Sequence, residues 1–271
     1  MAGAERIADH EWAVILGASS GFGEAVALEL ARAGCHIIGV HLDRRTTLAN
    51  AERIASQIQA AGREAFFFNV NAADAEKRAE VLTAVEARFK SLSGTSAVKV
   101  LFHSLAFGTL KPLVGVNGGD EISQPQVEMT IDVMANSLVY WTQDLARRQL
   151  LCKGSRIYAM TSSGGTRVWP TYGAVSAAKA ALESHIRQLA LELAPLGVTA
   201  NAIRAGVTDT PALRKIPGCD VMIEHARNRN PFRRLTTPQD IADAVSVLMQ
   251  MKTQWMTGNV IGVDGGEDIV G

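Results

Sequence analysis

The segment PTYGAVSAAKAALES, residues 170–184, contains a phenol and an amine at a spacing that could serve chemistry. Tyr172 precedes Lys179 by seven residues, in a run of small residues typical of a helix. Residues seven apart lie nearly on one helix face, two turns or ~10.5 Å apart along the axis. Both side chains can therefore meet one elongated ligand if the helix extends back to Tyr172. Alternatively, the tyrosine ring only packs at the end of the helix.

These two groups suggest a division of labour. We expect Lys179 to bind hydroxyl groups of a ligand and to add positive charge. We expect Tyr172 to donate a hydrogen bond, or a proton, to an oxygen that gains negative charge during a reaction.

A glycine-rich turn, GASSGFGEA over residues 17–25, follows the first strand-like run and opens a helix-like run. Its glycines are Gly17, Gly21 and Gly23, and its serines are Ser19 and Ser20. Glycine lets a pyrophosphate approach backbone amides at a helix N-terminus, where a side chain would block it. The turn therefore predicts a dinucleotide site in which the serine hydroxyls contact phosphate oxygens. Close packing of the helix on the strand is the alternative.

The end of the second strand-like run, HLDRR over residues 41–45, bears on the choice of cofactor. An acid at this place binds a ribose 2′-hydroxyl, whereas a basic side chain suits a 2′-phosphate. The usual acidic position is His41, and Arg44 and Arg45 follow closely. Guanidinium groups bind phosphate well, so we expect NADPH rather than NADH. Asp43 allows two other interpretations, since its carboxylate could contact the ribose or form an ion pair with an arginine. The two arginines could also simply lie at the solvent-exposed start of a helix.

Strand-like and helix-like segments alternate along almost the whole chain. The predicted strands are 12–17, 36–42, 64–70, 97–104, 156–162, 198–205 and 259–266; the predicted helices are about 23–34, 46–61, 75–89, 126–150, 172–193 and 241–251. Such alternation predicts parallel strands joined by right-handed crossovers. We expect one α/β domain over residues 1–271 with a doubly wound, Rossmann-like fold. Its central parallel sheet has about seven strands, with helices on both faces. A polar segment, 207–235, carries one helix and falls at the carboxyl edge of the sheet, where substrates bind.

Composition excludes several classes of function. The 271 residues include 27 basic and 27 acidic side chains, which gives no reason to expect a nucleic-acid or anionic-membrane surface. Three scattered cysteines predict a reducing compartment without a disulfide framework, and no zinc-ligand spacing occurs. The charged N-terminus MAGAERIADHEW lacks the apolar core of a signal peptide, and no apolar run approaches 18 residues. We expect a cytoplasmic protein with no bound metal and no membrane span.

Five features together resemble the short-chain dehydrogenase/reductases. They are GASSGFG, Ser162 at the end of the fifth strand, the Lys179 helix, NAIRAG (201–206) and VDGG (263–266). The resemblance covers residues 12–266 and implies a nicotinamide-dependent oxidoreductase. It also implies a homotetramer that pairs the two long helices, about 126–150 and 172–193, across two-fold axes.

The position of the tyrosine resembles one group within this family. Most members carry the tyrosine four residues before the lysine, where this chain has Val175. A tyrosine seven before the lysine resembles the enoyl-acyl-carrier-protein reductases. The NADPH-dependent, FabL-type group keeps the standard glycine loop and has a serine ten before the tyrosine, as Ser162 is here. VTDTPALRK (207–215), EHARNRNPFRR (224–234) and VDGGEDIVG (263–271) also resemble that group.

Some features depart from that group. HSLAFG (103–108) resembles the NADH-dependent type, and Leu16 replaces the usual threonine before the first glycine. The usual family asparagine aligns near Met134, with Asn136 two residues later.

The resemblance implies NADPH-dependent reduction of a trans-2-enoyl thioester, carried by acyl carrier protein or coenzyme A, in fatty-acid biosynthesis. Tyr172 would stabilise the enolate oxygen and Lys179 would anchor the nicotinamide ribose. Ser162 would orient Tyr172 or the thioester carbonyl, or else satisfy backbone at a strand end. The other implied cofactor contacts are Phe22 in the glycine loop, Asn69 and Val70 at the adenine, Ser104 and Ala106 at the inner ribose, and Gly206, Val207, Thr208 and Thr210 at the nicotinamide carboxamide.

Segment 207–235 bears on the substrate and on its carrier. Apolar residues of segment 207–235 would cover an acyl chain as a lid: Ala212, Leu213, Ile216, Met222 and Ile223. The arginines of the same segment would meet an acidic carrier protein or form a solvated face: Arg227, Arg229, Arg233 and Arg234. A carbonyl or hydroxyl oxidoreductase acting on 3-ketoacyl thioesters, quinones or small ketones is an alternative, as is a non-catalytic NADPH-binding sensor.

Overall fold

The computed structural model describes residues 10–116 and 118–270. Its strands are β1 (Glu11–Leu16), β2 (His36–His41), β3 (Ala65–Asn69), β4 (Ala97–His103), β5 (Leu151–Ser162), β6 (Thr199–Ala205) and β7 (Val260–Val263). Its α-helices are α1 (Gly21–Arg32), α2 (Leu48–Ala60), α3 (Ala75–Ser91), α4 (Gln124–Ile131), α5 (Ser137–Arg147), α6 (Gly173–Leu193), α7 (Cys219–Arg229) and α8 (Pro238–Gln250). The predicted absence of a signal peptide concerns a segment that lies mostly outside the described residues.

All the strand pairs are parallel, in the order β3-β2-β1-β4-β5-β6-β7. The chain winds outward from β1 in one direction to β3, then returns to β4 on the other side of β1 and continues to β7. This reversal between β1 and β4 is the point where doubly wound sheets bind nucleotides, beside the carboxyl ends of the strands. The predicted Rossmann-like fold with a seven-stranded parallel sheet is confirmed.

Strand β1 shows why its sequence is an unbroken apolar run. Trp12, Val14 and Leu16 pack in one core with side chains of α3, α5 and α6. Ala13 and Ile15 point to the other face and pack with α1, α2 and α8. All five side chains are fully buried, because helices cover both faces of the sheet. The two cores hold the sheet in place from both faces, so the carboxyl ends of the strands are the part of the sheet that is available for a binding site.

The structure differs from the prediction in the long helix expected over 126–150. Helix α4 begins after Ser123, which forms a capping box with Gln126. It gives way at Asp132–Asn136 to a π-helical turn, after which α5 continues. Such π turns inside helices occur frequently at functional sites. This turn packs against α6, the helix that carries Lys179.

Further differences concern α6, β5 and segment 207–235. Helix α6 begins at Gly173, so Tyr172 is its N-cap residue and the expectation of a helix from residue 172 is wrong by one residue. Strand β5 begins at Leu151, five residues earlier than predicted. Segment 207–235 contains a short 3-10 turn, Leu213–Lys215, in addition to α7, its single α-helix.

Two features that would indicate other classes of function are absent from the described residues. No helix among them combines the length and the apolar character that crossing a bilayer requires. No cluster of three or more histidine, cysteine, aspartate or glutamate side chains suited to a metal ion occurs in the same ranges. The three cysteines are free thiols.

Candidate active site

A cavity of about 380 Å³ lies at the carboxyl edge of β5 and β6. Its wall comes from the turn after β5, the start of α6, the segment after β6, α7 and the C-terminal residues. Among the site residues predicted from the sequence, the ones that line it are Phe22, Ala106, Ser162, Tyr172, Gly206, Val207, Thr208 and Thr210. The structure therefore brings together side chains up to 188 positions apart, from Phe22 to Thr210.

Tyr172 reaches this cavity from the N-terminus of α6. Its carbonyl accepts from the Ser176 amide at 2.8 Å, and its amide donates to the Trp169 carbonyl at 3.1 Å, so its backbone is fixed on both sides. Burial raises the pKa of the Tyr172 phenol, and the nearby Ser162 hydroxyl opposes this. At neutral pH the phenol is therefore protonated and can donate a hydrogen bond.

Ser162 ends β5 beside the phenol. Its Oγ is buried, and although close enough to influence the pKa of Tyr172, it has no partner in hydrogen-bond geometry among the described residues. A buried hydroxyl without a partner is costly, so a ligand oxygen or a small movement of Tyr172 would satisfy it. This geometry does not bear out the alternative in which Ser162 satisfies backbone at the strand end.

Lys179 lies two turns along α6, behind the cavity wall. It is buried, and its Nζ donates to the Met160 carbonyl of β5 at 2.8 Å. An ammonium has three donors, so this contact leaves two for a ligand. Burial lowers the pKa of Lys179 to about 8, and the Glu183 carboxylate partly opposes that shift. Lys179 therefore keeps most of its charge at neutral pH, at a considerable desolvation cost.

His103, which the sequence prediction did not single out, lies near Lys179 at the end of β4. The Ser137 hydroxyl donates to the Val133 carbonyl at 2.7 Å, so His103 Nε2, 2.8 Å from Ser137 Oγ, must carry the hydrogen. His103 Nδ1 is buried and accepts from no group within residues 10–116 and 118–270. Burial, with the charge of Lys179, lowers the pKa of His103 to about 3. The imidazole is thus neutral.

The π-helical turn determines which residue faces the cavity where the family asparagine is expected. Met134 is buried, lines the cavity and packs with Val175. Asn136 instead has its Oδ1 3.1 Å from His185 Nε2 on α6. The cavity wall at this place is therefore apolar.

The glycine loop has the shape of a phosphate cradle. Gly17 has φ +91°, and a Cβ there would lie 2.5 Å from the Ser104 carbonyl oxygen. A Cβ on Gly23 would lie 2.0 Å from the Gly17 oxygen. Ser20 is the N-cap of α1, and its side chain makes no capping hydrogen bond. Bare amides at a helix N-terminus suit a pyrophosphate, so these residues fit a dinucleotide cofactor.

The end of β2 is held by hydrogen bonds that its sequence did not indicate. His41 is buried, with Nδ1 2.8 Å from an Asp43 carboxylate oxygen. Asn69 brackets the Asp43 backbone, accepting from its amide at 2.8 Å and donating to its carbonyl at 3.0 Å. His41 and Asn69 thus position Asp43. Val70 donates its amide to the His41 carbonyl at 2.8 Å, which joins β3 to the same place.

Asp43 faces the glycine loop, and the arginines face solvent. Burial would raise the pKa of Asp43, but hydrogen bonds from Thr47, Ser19 and His41 outweigh it and the pKa is lowered. The carboxylate is therefore ionised beside the loop, while the Arg44 and Arg45 side chains are exposed just beyond it. An anion and two cations both adjoin the place where the ribose of the cofactor would lie.

The segment after β6 covers the cavity as a partly apolar wall. Ala212, Leu213, Ile216 and Met222 line it, whereas Ile223 is buried outside the lining. Trp169, which was not predicted, also lines the cavity and donates from Nε1 to the Pro217 carbonyl at 3.2 Å. This bond ties the turn before α6 to the start of α7.

The C-terminal residues form a charged network on the same wall. The Asp268 carboxylate pairs with Arg167 at 3.0 Å and with Arg204 at 3.1 Å. Glu267 is buried, and its carboxylate accepts from the Val207 amide at 3.1 Å. Sequence reasoning missed this network because its contacts join residues 60 to 101 positions apart.

The arginines of the predicted carrier-facing group have different surroundings. Arg229 turns inward, towards the Asp268 carbonyl at 3.4 Å. Arg234 forms a two-point pair with Asp240 at 2.6 and 2.8 Å, and Arg233 donates to the Asn228 carbonyl. Arg227 is exposed. Three of the four therefore make contacts within this chain.

Comparisons with known proteins agree with this architecture. Residues 17–267 match the family described as "Enoyl-(Acyl carrier protein) reductase". A 1-cyclohexenylcarbonyl-CoA reductase of Streptomyces collinus is 28% identical over 95% of this chain and 86% of its own length. The 3-oxoacyl-[acyl-carrier-protein] reductase FabG of Aggregatibacter actinomycetemcomitans is 31% identical over 94% of this chain and 98% of its own.

A solved structure is also similar over nearly its full length. The enoyl-[acyl-carrier-protein] reductase (NADH) of Aquifex aeolicus superposes with a TM-score of 0.80 at 25% identity, covering 96% of this chain and 97% of that one. Relatives with more than one type of substrate therefore share this fold.

Proposed function

The chain belongs to the short-chain dehydrogenase/reductase family, in its enoyl-acyl-carrier-protein reductase group, and on this premise we propose that it reduces the 2,3 double bond of trans-2-enoyl thioesters with NADPH. Because it belongs to this family, the chain is an oxidoreductase that uses a nicotinamide cofactor. The double bond as the reacting group and the preference for NADPH are our proposals.

The position of the phenol carries the proposal. The place four residues before Lys179 is Val175, an apolar side chain that packs against Met134. The donor is instead Tyr172, at the N-cap of α6 and on the cavity wall. A ketone gains negative charge on the oxygen of the carbon that accepts hydride. An enoyl thioester accepts hydride at its β-carbon and gains charge on a thioester oxygen two carbons away. A donor displaced by about one helical turn suits the second case.

The residues of the chain divide the work as follows. A bound nicotinamide cofactor would supply the hydride. Tyr172 donates its hydrogen bond to the thioester oxygen as it becomes an enolate, a contact of a kind that contributes about 10²–10³ in rate. Lys179 holds the ribose hydroxyls with the donors that Met160 does not use. Ser162 supplies its unpartnered hydroxyl to Tyr172 or to the thioester oxygen. The apolar wall, including Met134, excludes water.

We propose NADPH because two guanidinium groups adjoin the ribose position. The exposed Arg44 and Arg45 can close on a 2′-phosphate, and charge-assisted contacts of this type are the strong ones. Asp43 supports the alternative, NADH, since its ionised carboxylate suits a ribose hydroxyl and repels a phosphate. The ratio of kcat/KM for the two cofactors decides between them.

We propose that segment 207–235 is the lid over the acyl chain. Its apolar residues on the cavity wall, including Leu213 and Met222, support this. The acyl group would be carried by acyl carrier protein or coenzyme A in fatty-acid biosynthesis. We further propose a cytoplasmic homotetramer that pairs the helices α4–α5 and α6, which lie side by side on one face of the sheet.

A second candidate is reduction of 3-ketoacyl thioesters, favoured by the similarity to the 3-oxoacyl reductase over nearly the whole chain. A spectrophotometric panel separates the two candidates. Purified protein is mixed with 2-enoyl or 3-keto thioesters and with NADPH or NADH, and the loss of absorbance of the reduced cofactor is followed. Our proposal predicts oxidation of NADPH with the enoyl thioesters. Turnover of only 3-keto thioesters would replace it with the second candidate, and binding without turnover would indicate a sensor.

A further inference from the structure

One backbone donor at the cavity is occupied by a side chain of the chain itself. Val207 follows β6 by two positions, and its amide lies 3.1 and 3.3 Å from the two carboxylate oxygens of Glu267. Gly206 makes this approach possible, since a Cβ there would lie 2.8 Å from Glu267 Oε2. Both Val207 and Glu267 line the cavity. A backbone donor that faces the cavity is therefore already hydrogen-bonded to a carboxylate of the same chain.

Glu267 is held in this position by its neighbours. The next residue, Asp268, is fixed through its carboxylate by Arg167 and Arg204 at 3.0 and 3.1 Å, and its carbonyl accepts from Arg167 at 2.9 Å. Gly266, with φ +82°, turns the chain so that Glu267 points inward. The Glu267 side chain is thus positioned by a network of contacts rather than left as a surface rotamer.

The arrangement is energetically expensive for Glu267 itself. The residue is only 9% exposed, and within the described part of the chain its carboxylate accepts hydrogen bonds from the Val207 amide alone. Burial raises the pKa of Glu267; the Val207 amide and Arg229 oppose that shift, and the charges of Asp264 and Asp268 add to it. A buried carboxylate with so few donors is readily displaced by a neutral acceptor.

We propose that Glu267 is an internal competitor for the nicotinamide end of the cofactor. The inference rests on the proposed function and on the place beside the nicotinamide carboxamide that the family resemblance implies for Val207; we infer that the Val207 amide is the donor to that carboxamide. The carboxylate occupies that amide in the free chain and leaves it when the cofactor enters. Every nucleotide that carries the nicotinamide must displace Glu267, whereas a nucleotide that lacks this ring does not. The cost of displacement lowers the apparent affinity for the complete cofactor only.

Calorimetric titration of the full chain with two ligands tests this inference. The ligands are NADPH and 2′-phospho-ADP-ribose, which differ only in that the second carries a hydroxyl group in place of the nicotinamide. The variants are Glu267→Ala, which removes the competitor, and Glu267→Gln, which keeps its size without its charge. Glu224→Gln is the matched control, because this exposed carboxylate lies on α7 outside the cavity lining.

We expect Glu267→Ala to bind NADPH about 3- to 10-fold more tightly, the net value of one hydrogen bond. Glu267→Gln should shift the affinity less in the same direction, and Glu224→Gln should leave it unchanged. Affinity for 2′-phospho-ADP-ribose should stay within about twofold in all three. Unchanged or weaker NADPH binding in both Glu267 variants would overturn this inference and leave the proposed function intact. A wild-type chain that binds no nicotinamide nucleotide would overturn the proposed function, and this inference with it.

Discussion

The backbone of Gly164 lies against the ring of Tyr172, so closely that a Cβ on residue 164 would be 2.5 Å from Tyr172 Cε1. The same Cβ would be 3.2 Å from Ser162 Oγ. The turn after β5 therefore fixes where the phenol points, and it does so through the absence of a side chain. Contacts of 2.5 Å between carbon atoms are not tolerated, so any larger residue here must move the ring.

Gly164→Ala should consequently lower kcat for an enoyl thioester by about 10²-fold, the effect of a displacement of about 1 Å at a reacting centre. Thermal unfolding should show a loss of only about 1–3 kcal/mol in stability, typical of overpacking. Gly165→Ala is the matched control, because its Cβ would meet Glu183 Oε1 at 3.4 Å and Lys179 Cβ at 3.5 Å, near ordinary contact. Equal losses of activity in both variants would show that the ring contact is not what matters.

Lys179 gives a prediction about stability and pH. In the folded chain the pKa of Lys179 is about 8, below the ordinary lysine value of 10.5, so the unfolded chain binds the proton more tightly. The resulting destabilisation is fully present below pH 8 and disappears as the pH rises through about 10.5. Lys179→Met should therefore be more stable than wild type at pH 7, with a free energy of unfolding higher by an amount on the order of 2–3 kcal/mol. That advantage should shrink towards pH 10.

The measurement is urea unfolding of both proteins at pH 7, 8.5 and 10. A difference in stability that stays constant over this range would show that Lys179 does not carry a depressed pKa. Cofactor binding by Lys179→Met should be weak at every pH, because the ribose loses its donor.

The cofactor preference can be reversed by changing three residues at the end of β2. Replacing both Arg44 and Arg45 with alanine should raise KM for NADPH by about 10- to 100-fold, the value of charge-assisted hydrogen bonds, and change KM for NADH little. Asp43→Asn should act in the opposite sense: it removes a charge that repels the 2′-phosphate, so KM for NADPH should fall relative to KM for NADH. If KM rises equally for both cofactors in the double arginine variant, these arginines do not recognise the 2′-phosphate.

Trp169 offers a test of the lid. Trp169→Phe removes the donor to the Pro217 carbonyl, so we expect KM for an enoyl thioester to rise about 2- to 10-fold, with KM for the cofactor nearly unchanged. The matched control is Trp255→Phe, since the Trp255 side chain is 95% exposed. Steady-state kinetics measure both constants. A fall in kcat without a change in KM would place Trp169 in the chemical step instead.

Local sequence patterns predicted the sheet well because both of its faces are buried. The β1 run is apolar at consecutive positions, and the glycine loop follows it directly, so strand, turn and nucleotide site all come from adjacent residues. The strand order also places residues that follow β4, β5 and β6 at one edge. These parts of the site depend on local spacing and on the general rule for parallel sheets.

Other parts could not be predicted, for physical reasons. Apolar residues continue across the π-helical turn, at Val133, Met134 and Leu138, so their spacing hides the extra residue that turns Met134 into the cavity. Strand β5 begins at Leu151, where Lys153 and Gly154 interrupt the apolar pattern.

Contacts between distant parts of the chain were also hidden. The Val207–Glu267 contact joins positions 60 apart, and the pairing of Asp268 with Arg167 spans 101. No local pattern records such contacts, since they depend on how the finished sheet brings the C-terminal residues back to its edge.

The central claim is that the Tyr172 phenol stabilises the oxygen that becomes negative when an enoyl thioester accepts hydride. Its most direct test is the rate of NADPH oxidation in a single turnover by Tyr172→Phe, with crotonyl thioester saturating and the cofactor prebound. Our account predicts a rate about 10²–10³ lower than wild type, with cofactor affinity unchanged. A phenylalanine variant that turns over within twofold of wild type would contradict it.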